Sequence, residues 1–194
     1  MKKSIELKRF EIRLSGTGGQ GILTLGTIMG RALALDHGYW VTQTQSYGPE
    51  ARGGASRSDL VLSSEPISYP KPVNLDLLVA LSQDACNLYF RNLKSGGRLL
   101  VDTSLVKQMP SNIFWGLPFT RLARDKVGLV QATNTLVLGA MTHLLPFARQ
   151  ATMRQSLKQA LPAKILEINL KAFSLGFSQA KKHYPDAPDQ WTFS

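Results

Sequence analysis

The chain has 194 residues, of which 43% are hydrophobic, and a net charge of +10. That length and apolar share fit one large domain with a sizeable core, and no run of about 18 apolar residues is present to form a transmembrane helix. The single cysteine, Cys86, excludes an intrachain disulfide framework and a cysteine-ligated iron–sulfur cluster.

The first nine residues, Met1 to Arg9, are basic and lack the apolar stretch of a signal peptide, which predicts a cytoplasmic protein. Residues 9–14 alternate in polarity and stop at Gly16, as a strand does. Ile22, Leu25, Met29 and Leu33 recur at helical spacing over 20–36. Aromatic and β-branched residues predict a strand over 39–45. After the loop 46–54, residues 57–63 alternate again and predict a third strand, returning antiparallel. Leu75 to Leu81 is almost continuously apolar, the mark of a central strand covered on both faces. Ser82 is placed to cap a helix over 83–93, and Gly96-Gly97 turns the chain into another buried strand, 98–102.

A short strand near 112–115 and helices over 119–127, 131–147, 150–160 and 164–183 complete the pattern. The helix over 131–147 is apolar nearly all round and holds Gly139 and Ala140, which predicts deep burial or an interface. The last helix shows a stripe of Leu166, Leu170, Phe173 and Phe177. Pro185, Pro188 and Trp191 predict an extended arm beyond Tyr184. The expected architecture is α/β, a three-layer α/β/α sandwich with a mostly parallel or mixed central sheet. A mixed sheet follows if no helix separates strands two and three. One domain over 1–184 and a tail over 185–194 are expected.

Gly16-x-Gly18-x-x-Gly21, with Gly19 and Gln20 inside it, sits between a strand and a helix and matches the dinucleotide fingerprint. The acidic residue that should close the second strand is missing, since that position reads Thr44-Gln45-Ser46. The same glycines have phosphate-loop spacing, but Ile22 and Leu23 stand where lysine and a hydroxyl residue are required, which excludes an NTPase. An anion site built from backbone amides and a tight packing turn both remain open.

The second cluster is Ser46-Tyr47-Gly48-Pro49-Glu50-Ala51-Arg52-Gly53-Gly54. Gly-Pro and Gly-Gly forbid regular structure here, so the segment is a shaped loop that holds Tyr47, Glu50 and Arg52 in place. A single Arg-Gly-Gly is not an RNA-binding box, and the basic residues are scattered rather than arranged in a stripe with aromatics, which speaks against nucleic acid. His37, His143 and His183 lack metal-ligand spacing. Cys86 has no neighbouring His or Lys, as expected of a buried, inert thiol. No Gly-x-Ser-x-Gly elbow is present. The residues thus describe ligand-facing loops without a catalytic set, and a stand-alone nucleotide- or anion-binding α/β protein is one reading of them.

Together with Ser58-Asp59-Leu60-Val61-Leu62-Ser63 and the Asn134-containing segment Asn134 to Ala140, the two glycine clusters resemble the gamma subunit of 2-oxoacid:ferredoxin oxidoreductases over roughly residues 10–180. The resemblance implies an α/β subunit of an enzyme that oxidatively decarboxylates a 2-oxo acid, transfers the acyl group to coenzyme A and reduces ferredoxin. It further implies alpha and beta partner subunits, with a delta ferredoxin-like subunit as a further candidate. Thiamine diphosphate, Mg and the iron–sulfur clusters would reside in those partners, with no cofactor bound by this chain alone, no membrane and no nucleic acid. On this reading Gly16, Gly18, Gly19, Gln20, Gly21, Ser46, Tyr47, Glu50, Arg52 and Asn134 face coenzyme A or partner subunits. Arg52 would pair with a carboxylate or a coenzyme A phosphate, Glu50 would orient it, and Tyr47 would fill a partner pocket. Alternatively, Glu50 and Arg52 pair with each other and brace the loop.

Overall fold

The computed structural model describes residues 5–46 and 55–193. Six strands form one sheet: β1 (Phe10–Gly16), β2 (Trp40–Ser46), β3 (Ser56–Ser63), β4 (Leu75–Ala80), β5 (Leu93–Asp102) and β6 (Trp115–Leu117). The helices are α1 (Ile22–Arg31), α2 (Gln83–Tyr89), α3 (Phe119–Leu122), α4 (Thr133–Leu144), α5 (Gln150–Ala160) and α6 (Ala163–His183). The strand order is β2-β3-β1-β4-β5-β6. β1, β4, β5 and β6 are parallel, and β3 runs antiparallel to both β1 and β2. The sheet is therefore mixed. Only nine residues separate Ser46 from Ser56, too few for the crossover that parallel neighbours need.

The two covering layers are unequal. Phe10, Ile12 and Leu14 of β1 and Leu77 and Val79 of β4 point into the larger core with α1, α4, α5 and α6. Leu78 and Ala80 point the other way, into a smaller core with Ala85 and Cys86 of α2 and Val106. Burial pushes the Cys86 thiol up from its ordinary pKa, so the thiol stays protonated and inert, as its surroundings suggest. Ser82 caps α2 by accepting the Ala85 amide. Gly96-Gly97 falls inside β5 rather than before it. There the register against β4 jumps from Leu75–Leu93 to Leu77–Arg98, and Gly96 takes a φ of +79°.

α4 and α6 pack backbone against backbone. A Cβ at Gly139 would sit on the Phe173 carbonyl, and one at Gly176 on the Leu136 carbonyl. With this close approach only Phe173 of the expected Leu166, Leu170, Phe173 and Phe177 stripe is fully buried. The other buried residues of α6 are Asn169, Ala172, Gly176 and Ala180, three of them small, as a close crossing requires. The segment after α6 does not extend as an arm. It turns back, Trp191 Nε1 donates to the Leu144 carbonyl at 2.7 Å, and Trp191 packs edge-on against Phe10 and Trp115. Burial of two aromatic side chains, Trp191 and Phe193, outweighs the extended preference of the prolines.

Candidate functional site

β1, β2, β4 and β5 all point their carboxyl ends to one edge of the sheet, the end at which open α/β sheets bind ligands. The glycine turn 16–21, the end of β4 at Leu81, the end of β5 at Asp102 and the start of α4 gather there. So do Ser46 and Ser56, from which the 47–54 loop departs. Tyr47, Glu50 and Arg52 lie outside the described residues. Ser46 is the last described residue before them and is half-buried.

The turn is held by its own side chains. Gln20 Oε1 accepts the Thr17 amide at 2.7 Å, and Gln20 Nε2 donates to the Leu81 carbonyl at 2.9 Å, tying the turn to β4. Gly19 and Gly21 have φ values of +86° and +70°, a left-handed backbone that other residues resist. Asn134 Nδ2 donates to the Gly21 carbonyl at 3.3 Å, while Asn134 Oδ1 accepts the Thr135 amide. Thr135 Oγ1 donates onward to Asn169 Oδ1 of α6 at 2.7 Å. The structure thus brings Asn134 against the glycine turn, 113 residues earlier in the chain, and gives it a bracing role. Gln20 uses one of the turn's amides, which weakens the dinucleotide reading: a pyrophosphate would compete with that side chain.

Gly18 differs from its neighbours. Like Gly19 it is exposed and a Cβ there would have nothing within 4 Å, but unlike Gly19 and Gly21 its φ is not positive. Beside it lies a shallow depression formed by Gly19, Gln20, Leu105, Thr120, Val130 and Thr133. Leu105 and Val130 are 42% and 45% exposed, an apolar pair next to an amide-rich turn. Sequence reading missed this wall, because single apolar residues in the loops after β5 and before α4 carry no periodic signal.

Asp102 would be an obvious candidate base at a strand end, yet its oxygens are taken. Oδ1 accepts the Ser104 amide at 2.9 Å, and Oδ2 accepts the Thr120 amide at 2.9 Å and the Thr120 hydroxyl. It braces the β5–α3 junction. His37 is similarly occupied: Nδ1 donates to the Ala32 carbonyl and Nε2 accepts the Arg149 amide. Among the described residues no three His, Cys, Asp or Glu side chains converge as metal ligands. Among them, too, no helix is long and apolar enough to cross a membrane. The edge offers amides, a small apolar patch and a loop root. These groups are suited to binding.

Residues 11–179 match the family model described as Pyruvate ferredoxin/flavodoxin oxidoreductase. The chain belongs to this family. It is 44% identical over 185 residues to the 2-oxoglutarate synthase subunit KorC of Methanocaldococcus jannaschii, covering 93% of this chain and 98% of that relative. It is 30% identical to the ketoisovalerate oxidoreductase subunit VorA of Methanothermobacter thermautotrophicus, of which it covers only 38%. The gamma subunit of a keto/oxoacid ferredoxin oxidoreductase from Geobacter sulfurreducens superimposes with a TM-score of 0.82 at 38% identity, covering 90% of this chain and 97% of the other. The resemblance drawn from the glycine clusters is therefore correct, and so is the α/β fold with its mixed sheet. This family member is a gamma-type subunit of a multi-subunit 2-oxoacid oxidoreductase.

Proposed function

We propose that the chain completes a cytoplasmic 2-oxoglutarate:ferredoxin oxidoreductase, using the strand-carboxyl edge to dock on alpha and beta subunits, and that it is inactive alone. The observation that carries this reading is the 44% identity to a 2-oxoglutarate synthase subunit across nearly the full length of both chains, against 30% for a ketoisovalerate relative. The partners would hold thiamine diphosphate, Mg and the iron–sulfur clusters, with coenzyme A as co-substrate and ferredoxin as acceptor. Bound thiamine diphosphate would supply the carbanion chemistry of decarboxylation. This chain would supply shape: a turn fixed by Gln20 and Asn134, the Gly18 backbone open to close approach, and Leu105 and Val130 to exclude water at the contact. Tyr47, Glu50 and Arg52 would extend the same edge, with Arg52 making a charge-assisted contact across it. We propose one domain over 1–184 with 185–194 as a C-terminal tail.

Gly18 gives a clean test, because the turn's conformation does not depend on it. Gly18→Ala should leave the melting temperature within about 2 °C of the parent. It should lower the activity of the co-expressed complex at least about tenfold if a partner or coenzyme A approaches the backbone there. Gly21→Ala should instead destabilise the isolated chain, since φ is +70° and the new Cβ would meet Asn134. A Gly18→Ala subunit that assembles and turns over normally removes this edge from the docking surface.

A further inference from the structure

The second face of the sheet holds a different site. α2 packs over β4 and β1, and beside its Tyr89 lies a cleft lined by Arg13, Thr44, Ser46, Arg57, Asp59, Lys71 and Asn92. Among the described residues, three cations there face one carboxylate. Asp59 is already engaged: Arg13 Nε donates to Oδ1 at 2.7 Å and Arg13 Nη2 to Oδ2 at 2.9 Å, while Arg13 Nη1 donates to Asn92 Oδ1 at 3.1 Å. Arg57 reaches the same carboxylate only at 3.8 Å, beyond hydrogen-bond range, and its side chain is 37% exposed. The Tyr89 ring lies beneath both guanidiniums, 4.7 Å from Arg13 and 5.8 Å from Arg57, so Arg57 is placed without being consumed.

The opposite wall is equally fixed. Arg9 donates to the Tyr69 carbonyl at 3.0 Å and to the Lys71 carbonyl at 2.8 Å, and Thr42 Oγ1 donates to the Pro70 carbonyl at 3.0 Å. Glu11 Oε2 accepts the Val73 and Asn74 amides, each at 2.7 Å. Lys71 therefore projects from a backbone anchored on both sides, whereas a solvated surface lysine has no such support. Thr44 and Asn92 add neutral hydrogen-bonding groups between the two cations.

We infer that this cleft binds a doubly charged oxyanion, held by Arg57 and Lys71 above the Arg13–Asp59 pair. The ligand chemistry is that of a phosphoryl group or of a carboxylate pair. A net cationic cleft on one side of a low-dielectric sheet concentrates such ions, and Arg57 offers the planar fork that recognises them. The cleft reaches the strand-carboxyl edge at Ser46, but the inference rests on Arg57 and Lys71 and not on the docking reading above.

The test uses the full chain at constant ionic strength, with inorganic pyrophosphate and succinate as separate probes and thermal unfolding as readout. At ten times its dissociation constant a bound anion raises the melting temperature by about 3 °C. Arg57→Gln and Lys71→Gln should each weaken the response at least about tenfold in concentration. A response to pyrophosphate alone, lost in both variants, supports a phosphoryl ligand. Responses to both probes, lost in both variants, support a socket that also accepts carboxylates, as an acidic partner side chain would supply. An undiminished response in either variant places the anion elsewhere and overturns the inference, as does no response to either probe. Neither failure touches the subunit role, which is read from assembled activity.

Discussion

Arg13→Ala is expected to cost about 3–5 kcal/mol of folding stability, read as a lower urea midpoint with an unchanged slope. Arg13 and Asp59 are both buried inside the sheet on neighbouring strands, and the contact is bidentate. Removing the guanidinium strands a carboxylate where little water reaches it, which is costlier than losing an exposed ion pair. Arg57, at 3.8 Å, is too far away to replace the two lost hydrogen bonds. The double variant Arg13→Leu, Asp59→Leu should recover much of the loss, because it removes the orphan charge along with its partner. A cost below about 1 kcal/mol for Arg13→Ala would mean that the pair is solvated like a surface ion pair.

Gly176→Ala should be the second large effect. In an exposed helix the change gains up to about 1 kcal/mol from propensity. Here the new methyl group meets the Leu136 carbonyl of α4, and a backbone atom has no rotamer by which to yield. A net loss of about 1–3 kcal/mol is expected. Gly139→Ala should behave alike, its Cβ falling on the Phe173 carbonyl. Because both substitutions press on one helix pair, their combined cost should deviate from the sum. A neutral or stabilising Gly176→Ala would show that α4 and α6 are farther apart than described.

These two sites mark where sequence reading stops. Alternation and helical spacing carry the identity and order of the elements, down to the unbroken apolar run of β4 and the short link between β2 and β3. The glycine turn is legible because its spacing is local, and the capping role of Ser82 for the same reason. Long-range partnership has no such signature. Arg13 and Asp59 are 46 residues apart, and Gly21 and Asn134 are 113 apart. In β1 the polar members of the alternating pattern, Glu11 and Arg13, suggest a solvated face, yet both are buried. Glu11 is covered as it ties down residues 73–74, and Arg13 is spent on Asp59. The α6 stripe misleads for a related reason. Hydrophobicity favours Leu166, Leu170, Phe173 and Phe177, yet only Phe173 is fully buried, and beside it the close crossing with α4 selects small side chains, a geometric demand that periodicity cannot express. Leu105 and Val130 become a patch only once the β5 and α4 ends meet.

The central claim is that this chain is needed for oxo-acid oxidation by a multi-subunit enzyme. The most direct measurement is co-expression with candidate alpha and beta subunits, with and without this chain. The readout is viologen dye reduction dependent on 2-oxo acid and coenzyme A, compared for 2-oxoglutarate, pyruvate and 3-methyl-2-oxobutanoate. The account predicts no turnover by the chain alone, activity only in the complex that contains it, and 2-oxoglutarate as the preferred donor. A fully active enzyme assembled without this chain would contradict it.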